Sequence, residues 1–111
     1  MLQQAVSYSR RHALRVEAPA GVWVYWSCGG HNDTSRVRNL SAGGVFIETS
    51  EAVALGAMTK LDFLVQEGQI RVEALVRHVN SSSGMGLKFT AVKGEDLPNL
   101  TALLSRLSSS S

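Results

Sequence analysis

Two polar motifs near the start of the chain carry residue types suited to binding an anionic nucleotide. In the first, Arg11 and Arg15 are separated by three residues; the second is the run 39–44, Asn-Leu-Ser-Ala-Gly-Gly. An arginine guanidinium is a planar fork of donors that can bind both the O6/N7 edge of guanine and a phosphate oxygen. Together, the two motifs predict a site for a guanine nucleotide.

Each residue type in these motifs has a defined use at such a site. In an extended segment Arg11 and Arg15 point the same way with their Cα atoms about 13 Å apart, so they can span two parts of one ligand. Asn39 can accept from the N1/N2 edge of guanine, and Ser41 adds a short donor and acceptor. Gly44 lacks a Cβ, which lets the backbone lie against a base or sugar. Taken singly, the arginines could be a solvated basic stretch and the Asn-Ser-Gly run an ordinary turn.

Length and composition limit the class of protein. The chain has 111 residues, 44% of them hydrophobic, which is enough for one domain with its own core. Its formal net charge is only +2, and eight arginines outnumber three lysines, so the charge favours shaped recognition over diffuse attraction to nucleic acid. The single Cys28 cannot form an internal disulfide, and the sequence has neither a secretory leader pattern nor an apolar segment of about 20 residues. These features predict an intracellular, cytoplasmic protein without a membrane span.

The spacing of apolar residues predicts an all-β fold with one C-terminal helix. Short runs that alternate apolar and polar residues are separated by frequent turn signals. Six or seven such strands are expected to form a small antiparallel β-barrel, which closes to remove its edges. We predict a flexible N-terminal arm at residues 1–9, the barrel domain with its helix at residues 10–107 and a disordered serine tail at residues 108–111.

Further expectations concern packing. The run 22–26, Val-Trp-Val-Tyr-Trp, predicts a central strand whose aromatic side chains Trp23, Tyr25 and Trp26 fill the core rather than stack on bases. Asp96 is expected to cap the helix. The apolar face of this helix is predicted to contain Leu97, Leu100, Leu104 and Leu107. Four arginines that alternate along strands are expected to form a solvated face, although some could line the ligand groove: Arg36, Arg38, Arg71 and Arg77.

The two motifs, at this separation and within this barrel pattern, resemble the signature of the PilZ family of bacterial cyclic di-GMP receptors. That signature is Arg-x-x-x-Arg followed, after a strand pair, by Asp/Asn-x-Ser-x-x-Gly. It corresponds here to Arg11 with Arg15, and to Asn39 with Ser41 and Gly44. The resemblance includes the later hairpin, the closing strand and the terminal helix, and therefore covers most of the chain. It implies a barrel of the PilZ type with a ligand-binding, non-enzymatic role.

Carried over position by position, the resemblance also implies a set of ligand contacts. The arginines are expected to hold guanine and phosphate, the asparagine and serine to read a guanine edge, and the glycine to give room. The residues so implied are Arg10, Arg11, Arg15, Asn39, Ser41 and Gly44. In the family, an arginine at the position of Arg10 favours a stacked, intercalated pair of cyclic di-GMP molecules, so we expect a pair. Asn39 replaces the commoner Asp by a neutral acceptor, which is expected to weaken guanine recognition.

The sequence therefore predicts a bacterial second-messenger receptor that binds cyclic di-GMP, needs no cofactor or metal, and changes conformation to signal to a downstream protein partner. We predict no catalysis, because His12, His31, His78 and Cys28 match no compact metal or nucleophile pattern. One alternative is a PilZ-like adaptor that acts through protein contacts without nucleotide, and the intact motifs argue against it. The other is a small barrel that binds single-stranded nucleic acid, and the modest charge argues against that.

Overall fold

The computed structural model describes residues 15–51, 53–80 and 82–109, so the predicted arm at residues 1–9 lies outside the described residues. This part of the chain forms seven antiparallel strands, one turn of 3-10 helix and one α-helix. Their bounds are β1 Val16–Glu17, β2 Trp23–Cys28, β3 His31–Ser41, β4 Gly44–Glu48, β5 Met58–Leu64, β6 Arg71–Asn80, β7 Gly84–Val92, the 3-10 turn Gly94–Asp96 and α1 Leu97–Ser109.

Six of these strands close into a barrel because β3 is long enough to pair with a different strand at each end. Residues 31–36 of β3 pair with β2, and residues 36–41 pair with β4. The ring then continues from β2 through β5, β6 and β7 to β4. β1 lies outside the ring and pairs with β3 at Asn39 and Leu40. The prediction of a small antiparallel barrel with a C-terminal helix is confirmed.

The central strand β2 alternates between the barrel core and solvent. Val24 and Trp26 are fully buried, and the indole Nε1 of Trp26 donates to Ser35 Oγ at 2.9 Å. On the opposite face Trp23 is 42% exposed and Tyr25 is 43% exposed. The expectation that all three aromatic side chains fill the core is therefore wrong for Trp23 and Tyr25. An antiparallel barrel buries one face of each strand and leaves the other to solvent.

The helix α1 packs an apolar stripe against the barrel core. Leu100, Leu103 and Leu107 are buried within the same hydrophobic cluster as the strand residues, and Leu104 packs against its edge. Leu97, which was expected on this stripe, is instead 49% exposed. The buried stripe is centred on Leu103, and Leu97 at the start of the helix lies to one side of it.

The helix extends to Ser109, two residues beyond the predicted end of the barrel domain. The hydroxyls of Ser108 and Ser109 donate to the backbone carbonyls of Leu104 and Ser105, one turn earlier. The Ser109 hydroxyl also lies 3.3 Å from the carbonyl oxygen of Arg106, one of the last four carbonyl groups of the helix, which have no amide partner within it. The first half of the predicted disordered tail is therefore helical, and the rest lies outside the described residues.

Asp96 does not cap α1, in contrast to the sequence-based expectation. Its nearly buried carboxylate accepts hydrogen bonds from Arg71 at the start of β6: from the backbone N at 2.9 Å, from Nε at 2.8 Å and from Nη2 at 3.0 Å. These bonds lower the pKa of the Asp96 carboxyl group. In the same way, the hydrogen bond from Arg106 of α1 lowers the pKa of Glu67. Two ion pairs thus tie the helix and the turn before it to the barrel.

The lowered pKa of Asp96 predicts a pH-dependent contribution to stability. The carboxylate stabilises the folded state above the ordinary aspartate pKa of about 3.9, and this contribution is lost as the pH falls through the lower folded-state value. We expect Asp96→Asn to lower the free energy of unfolding at pH 7, and the difference from the parent chain to shrink near pH 3. Urea unfolding at both pH values measures this effect. Glu95→Gln removes an exposed partner of the same Arg71 and is the matched control, with a small effect expected; a constant difference for Asp96→Asn across this pH range would contradict the assignment.

The buried stripe of α1 predicts a large difference between two leucine substitutions in the same helix. Leu103 is fully buried, so Leu103→Ala is expected to lower the free energy of unfolding by about 2–5 kcal/mol. Leu97→Ala removes the same atoms from a half-exposed position and is expected to change it by about 0.5 kcal/mol or less. Chemical denaturation of the two variants tests whether α1 is part of the core, and equal losses would show that it is not.

Candidate nucleotide-binding site

A β-bulge in β3 turns the second motif towards the outside of the barrel. The register between β3 and β4 advances by two residues in β3, from Val37 to Asn39, against one in β4, so Arg38 is an extra residue. Val37 and Leu40 are both fully buried although they are three residues apart, which the two-residue period of a regular strand does not allow. The extra residue therefore turns Asn39 away from the core, while Ser41 at the end of β3 stays buried in the turn.

Arg15 of the first motif contacts Asn39 of the second motif directly. Arg15 precedes β1, whose pairing with β3 brings the two motifs side by side. Its Nη1 donates to Asn39 Oδ1 at 2.7 Å, and its Nη2 lies 3.7 Å from the point where a Cβ on Gly44 would be. The structure thus joins predicted residues that are far apart in sequence. Arg10 and Arg11 lie outside the described residues.

Ser41 shapes the turn between β3 and β4. Its hydroxyl oxygen accepts a hydrogen bond from the backbone N of Gly43 at 3.2 Å, and the residue is only 5% exposed. Ser41 also pairs with Gly44 in the strand register, which closes a turn of two residues. The serine therefore has a structural role in the turn, and its contact with a guanine edge stays a prediction.

Gly44 is required by its neighbour in the barrel. A Cβ at this position would lie 2.6 Å from the backbone oxygen of Leu87 in β7, closer than real Cβ atoms come to other atoms. The close approach seen in the structure is between β4 and β7, and it fixes the motif turn against the next strand. That this glycine also makes room for a base or sugar stays a prediction.

The motif turn forms one wall of an open groove with a volume of about 730 Å³. Arg15 and the turn lie on one side, and β6 and β7 supply Arg77, His78 and Lys88 on the other. Among the lining residues that the structure describes, three are cationic and none is acidic. Asn39 is not part of the lining and reaches the groove through its bond to Arg15. The groove is therefore suited to an anion with several acceptor atoms.

The sequence motifs did not predict that β6 and β7 form a wall of this groove. Arg77 was one of four arginines expected mainly on a solvated face, and neither His78 nor Lys88 was assigned to the site. A signal was present, because the regular alternation of β6 stops after the buried Val76 and is followed by two exposed polar residues in succession. Such a break in the two-residue period indicates a bulge.

The other sequence candidates lie away from this groove and have partners of their own. Arg36 and Arg38 both lie within 4.0 Å of Glu48, at 3.6 and 3.4 Å, and Arg71 pairs with Asp96. His31 bonds to the carboxylate of a glutamate and stacks on an indole ring. Among the residues that the structure describes, no group of three or more His, Cys, Asp or Glu side chains could hold a metal ion, and the helix is not long and apolar enough to cross a membrane.

Comparison with known families places this barrel and its motifs in a defined class. The PilZ domain model matches residues 9–106, which is most of the chain. The chain therefore belongs to the PilZ domain family. No curated protein matches it in sequence.

Solved structures share the fold at low sequence identity. The Bacillus subtilis inhibitor of motility MotI/DgrA matches with a TM-score of 0.69 and 23% identity, over 87% of this chain and 50% of its own. PlzA of Borreliella burgdorferi, solved in complex with c-di-GMP, matches with a TM-score of 0.68 and 14% identity, over 90% and 43%. The MrkH–c-di-GMP complex of K. pneumonia matches with a TM-score of 0.68 and 20% identity, over 88% and 51%. This chain thus spans about half the length of these neighbours.

The packing of Gly44 predicts that one added methyl group disturbs the turn. Gly44→Ala places a Cβ against the Leu87 carbonyl and is expected to lower the free energy of unfolding by about 1–3 kcal/mol. Gly43→Ala in the same turn is the matched control, since a Cβ there has nothing within 4 Å. Its effect is expected to be about 0.5 kcal/mol or less. Chemical denaturation measures both, and a Gly44→Ala variant as stable as Gly43→Ala would contradict the packing argument.

Proposed function

We propose that this chain is a receptor for cyclic di-GMP that binds the messenger in the groove beside the 41–44 turn and signals to a protein partner in the bacterial cytoplasm. One observation carries the proposal: the Arg15–Asn39 contact joins the two halves of the family motif at a groove whose described lining contains cations and no acid. Cyclic di-GMP carries two phosphates and two guanines, the groups that arginine forks bind best. That PlzA and MrkH, which share the fold, were solved with c-di-GMP supports the same ligand class.

The six predicted contact residues have different roles in binding the ligand. The motif arginines, Arg10, Arg11 and Arg15, hold phosphate oxygens and the O6/N7 edge of guanine. Asn39 and Ser41 recognise the N1/N2 edge at the end of β3 that follows the bulge at Arg38. Gly44 contributes by holding the turn against β7, so that the donors of the turn keep a fixed position beside the groove.

Binding exchanges one hydrogen bond for several. Asn39 Oδ1 accepts a hydrogen bond from Arg15, so the two motifs satisfy each other. When an anion enters, the Arg15 fork turns its donors to phosphate, and the amide of Asn39 becomes free for the base. We expect ligand contacts from Arg10 and Arg11 to stabilise their segment against the barrel when the messenger binds. A downstream protein detects this rearranged surface, which makes the chain a switch rather than a catalyst.

Calorimetric titration of the full chain with cyclic di-GMP tests the proposal. We expect saturable binding at micromolar or lower concentration, with no binding of GTP or of a short single-stranded oligonucleotide at two salt concentrations. Arg15→Ala removes charged hydrogen bonds and is expected to weaken binding by about 1.5–3 kcal/mol. Lys60→Ala removes one positive charge from the outer face of β5, away from the groove, and is expected to leave affinity unchanged.

The controls separate the alternatives. Oligonucleotide binding that falls steeply with salt, without cyclic di-GMP binding, would indicate a nucleic-acid barrel. Absence of binding to both ligands would indicate an adaptor that works through protein contacts. If cyclic di-GMP binds but Arg15→Ala matches the parent chain, the ligand is correct and the assigned groove is wrong.

A further inference from the structure

A second β-bulge, in β6, turns His78 into the groove beside the motif turn. In the pairing of β6 with β7, Val76 lies opposite Leu87 and His78 lies opposite Gly86. Arg77 is therefore an extra residue in β6. Val76 is buried, whereas both of the following residues are exposed. A regular strand would have turned His78 towards the core. The bulge instead places it in the lining of the groove.

Gly86 of β7 keeps the space beside this histidine open. In the strand register it lies between His78 of β6 and Phe46 of β4. A Cβ at Gly86 would lie 3.5 Å from the Cβ of His78 and 3.6 Å from the ring of Phe46. Because the glycine has no side chain, β7 does not fill the outer face between the two rings. A ligand in the groove can therefore approach the imidazole from the side of β7.

The charged groups that share the groove with His78 are cations. Arg77 precedes it on β6, Lys88 lies on β7, and Arg15 lies before β1. The described lining of the groove contains no carboxylate, and none of the ion pairs among the described residues includes His78. An anionic ligand would therefore be the counter-charge that this histidine meets in the groove.

The elements on either side of β6 supply no free acid to this histidine among the described residues. Residues 53–57, which bond to β6 just before the bulge, contain no titratable side chain. Beyond β7, Glu48 of β4 lies within 4.0 Å of two arginines of β3. The imidazole therefore has no described partner that would compete with a phosphate for it.

We propose that His78 contacts the messenger and that its protonation makes the affinity for cyclic di-GMP depend on pH. The inference rests on the proposed function and assigns a residue outside the family motif. A protonated imidazole has two N–H donors and a positive charge, whereas the neutral ring has one donor and one acceptor. A charge-assisted hydrogen bond to phosphate is roughly twice as strong as a neutral one. Since histidine is the side chain that ordinarily changes charge between pH 5 and 8, the groove binds the messenger more tightly when the pH falls.

Calorimetric titration of the full chain with cyclic di-GMP at about pH 5.5 and about pH 7.5 tests the inference. The parent chain is expected to bind roughly 10-fold more tightly at the lower pH. If protonation of His78 strengthens binding, binding must favour protonation by the same factor. We therefore expect proton uptake at an intermediate pH, measured as a binding heat that varies with the ionisation enthalpy of the buffer. The phosphodiester and guanine groups of the ligand keep their charge across this range, so the proton is taken up by the protein.

Variants of single histidines assign the proton. His78→Gln keeps a polar side chain without a titratable group and is expected to bind with one affinity at both pH values, without proton uptake. His78→Lys has a permanent charge, so it is expected to bind as tightly at the higher pH as the parent chain does at the lower. His31→Gln is the matched control, because His31 bonds to Glu51 away from the groove. His12→Gln is titrated as well, and denaturation curves at both pH values establish that every variant is folded.

Each outcome decides the inference. Loss of the pH dependence and of the proton uptake in His78→Gln, with both kept in His31→Gln, would support it. A pH dependence that survives in His78→Gln would overturn it, as would a parent chain with the same affinity at both pH values. Loss of the pH dependence in His12→Gln instead would assign the proton to the first motif and would also overturn it. A parent chain that binds no cyclic di-GMP at either pH would remove the proposed function itself, a result distinct from the others.

Discussion

The extra residue in β3 is the constraint on which both the barrel and the site depend. β3 must pair with β2 at one end and with β4 at the other, and the bulge at Arg38 lies where its partner changes. Because the bulge reverses the alternation, Leu40 enters the core while Asn39 faces outward. Asn39 can then accept a hydrogen bond from Arg15, because the pairing of β1 with β3 brings the two residues side by side. A regular β3 would bury the motif amide and expose a leucine.

In the closed barrel the described arginines fall into two groups, those that pair with acids and those that line the groove. Glu48, Glu67, Glu95 and Asp96 each contact an arginine, and these pairs lie at the helix, at the turn before it and beside the bulge of β3. The Arg106–Glu67 and Arg71–Asp96 pairs hold α1 and the turn before it against the barrel, with the buried stripe around Leu103 facing the core. The described lining of the groove contains no acid, so the charge of its cations is not balanced within it. The net charge of the chain is therefore small although several cations are concentrated in this groove.

The sequence was sufficient for the fold class and for the two motifs, because both depend on local patterns. Strand alternation, turn residues and the spacing of leucines predicted the barrel and the helix. The exposure of Trp23 and Tyr25 could not be predicted, because the sequence of an apolar strand does not show whether its outer face is covered or open to solvent. The bulges at Arg38 and Arg77 depend on register between distant strands, as do the Asp96–Arg71 pair and the contact of Gly44 with Leu87. These features arise from closure, and so the β6–β7 wall of the groove was missed.

The Arg15–Asn39 contact also gives the asparagine at this position a role that the sequence did not predict. From the sequence, a neutral amide in place of the commoner aspartate was expected to weaken recognition of guanine. In the structure the amide oxygen is an acceptor for Arg15, and a carboxylate there would hold the same guanidinium more strongly. That stronger bond would have to be broken, or its charge shared, before Arg15 could bind phosphate. A neutral acceptor positions the fork without neutralising it, so under the proposed function the weaker contact expected with the base is offset by a guanidinium that stays available for phosphate.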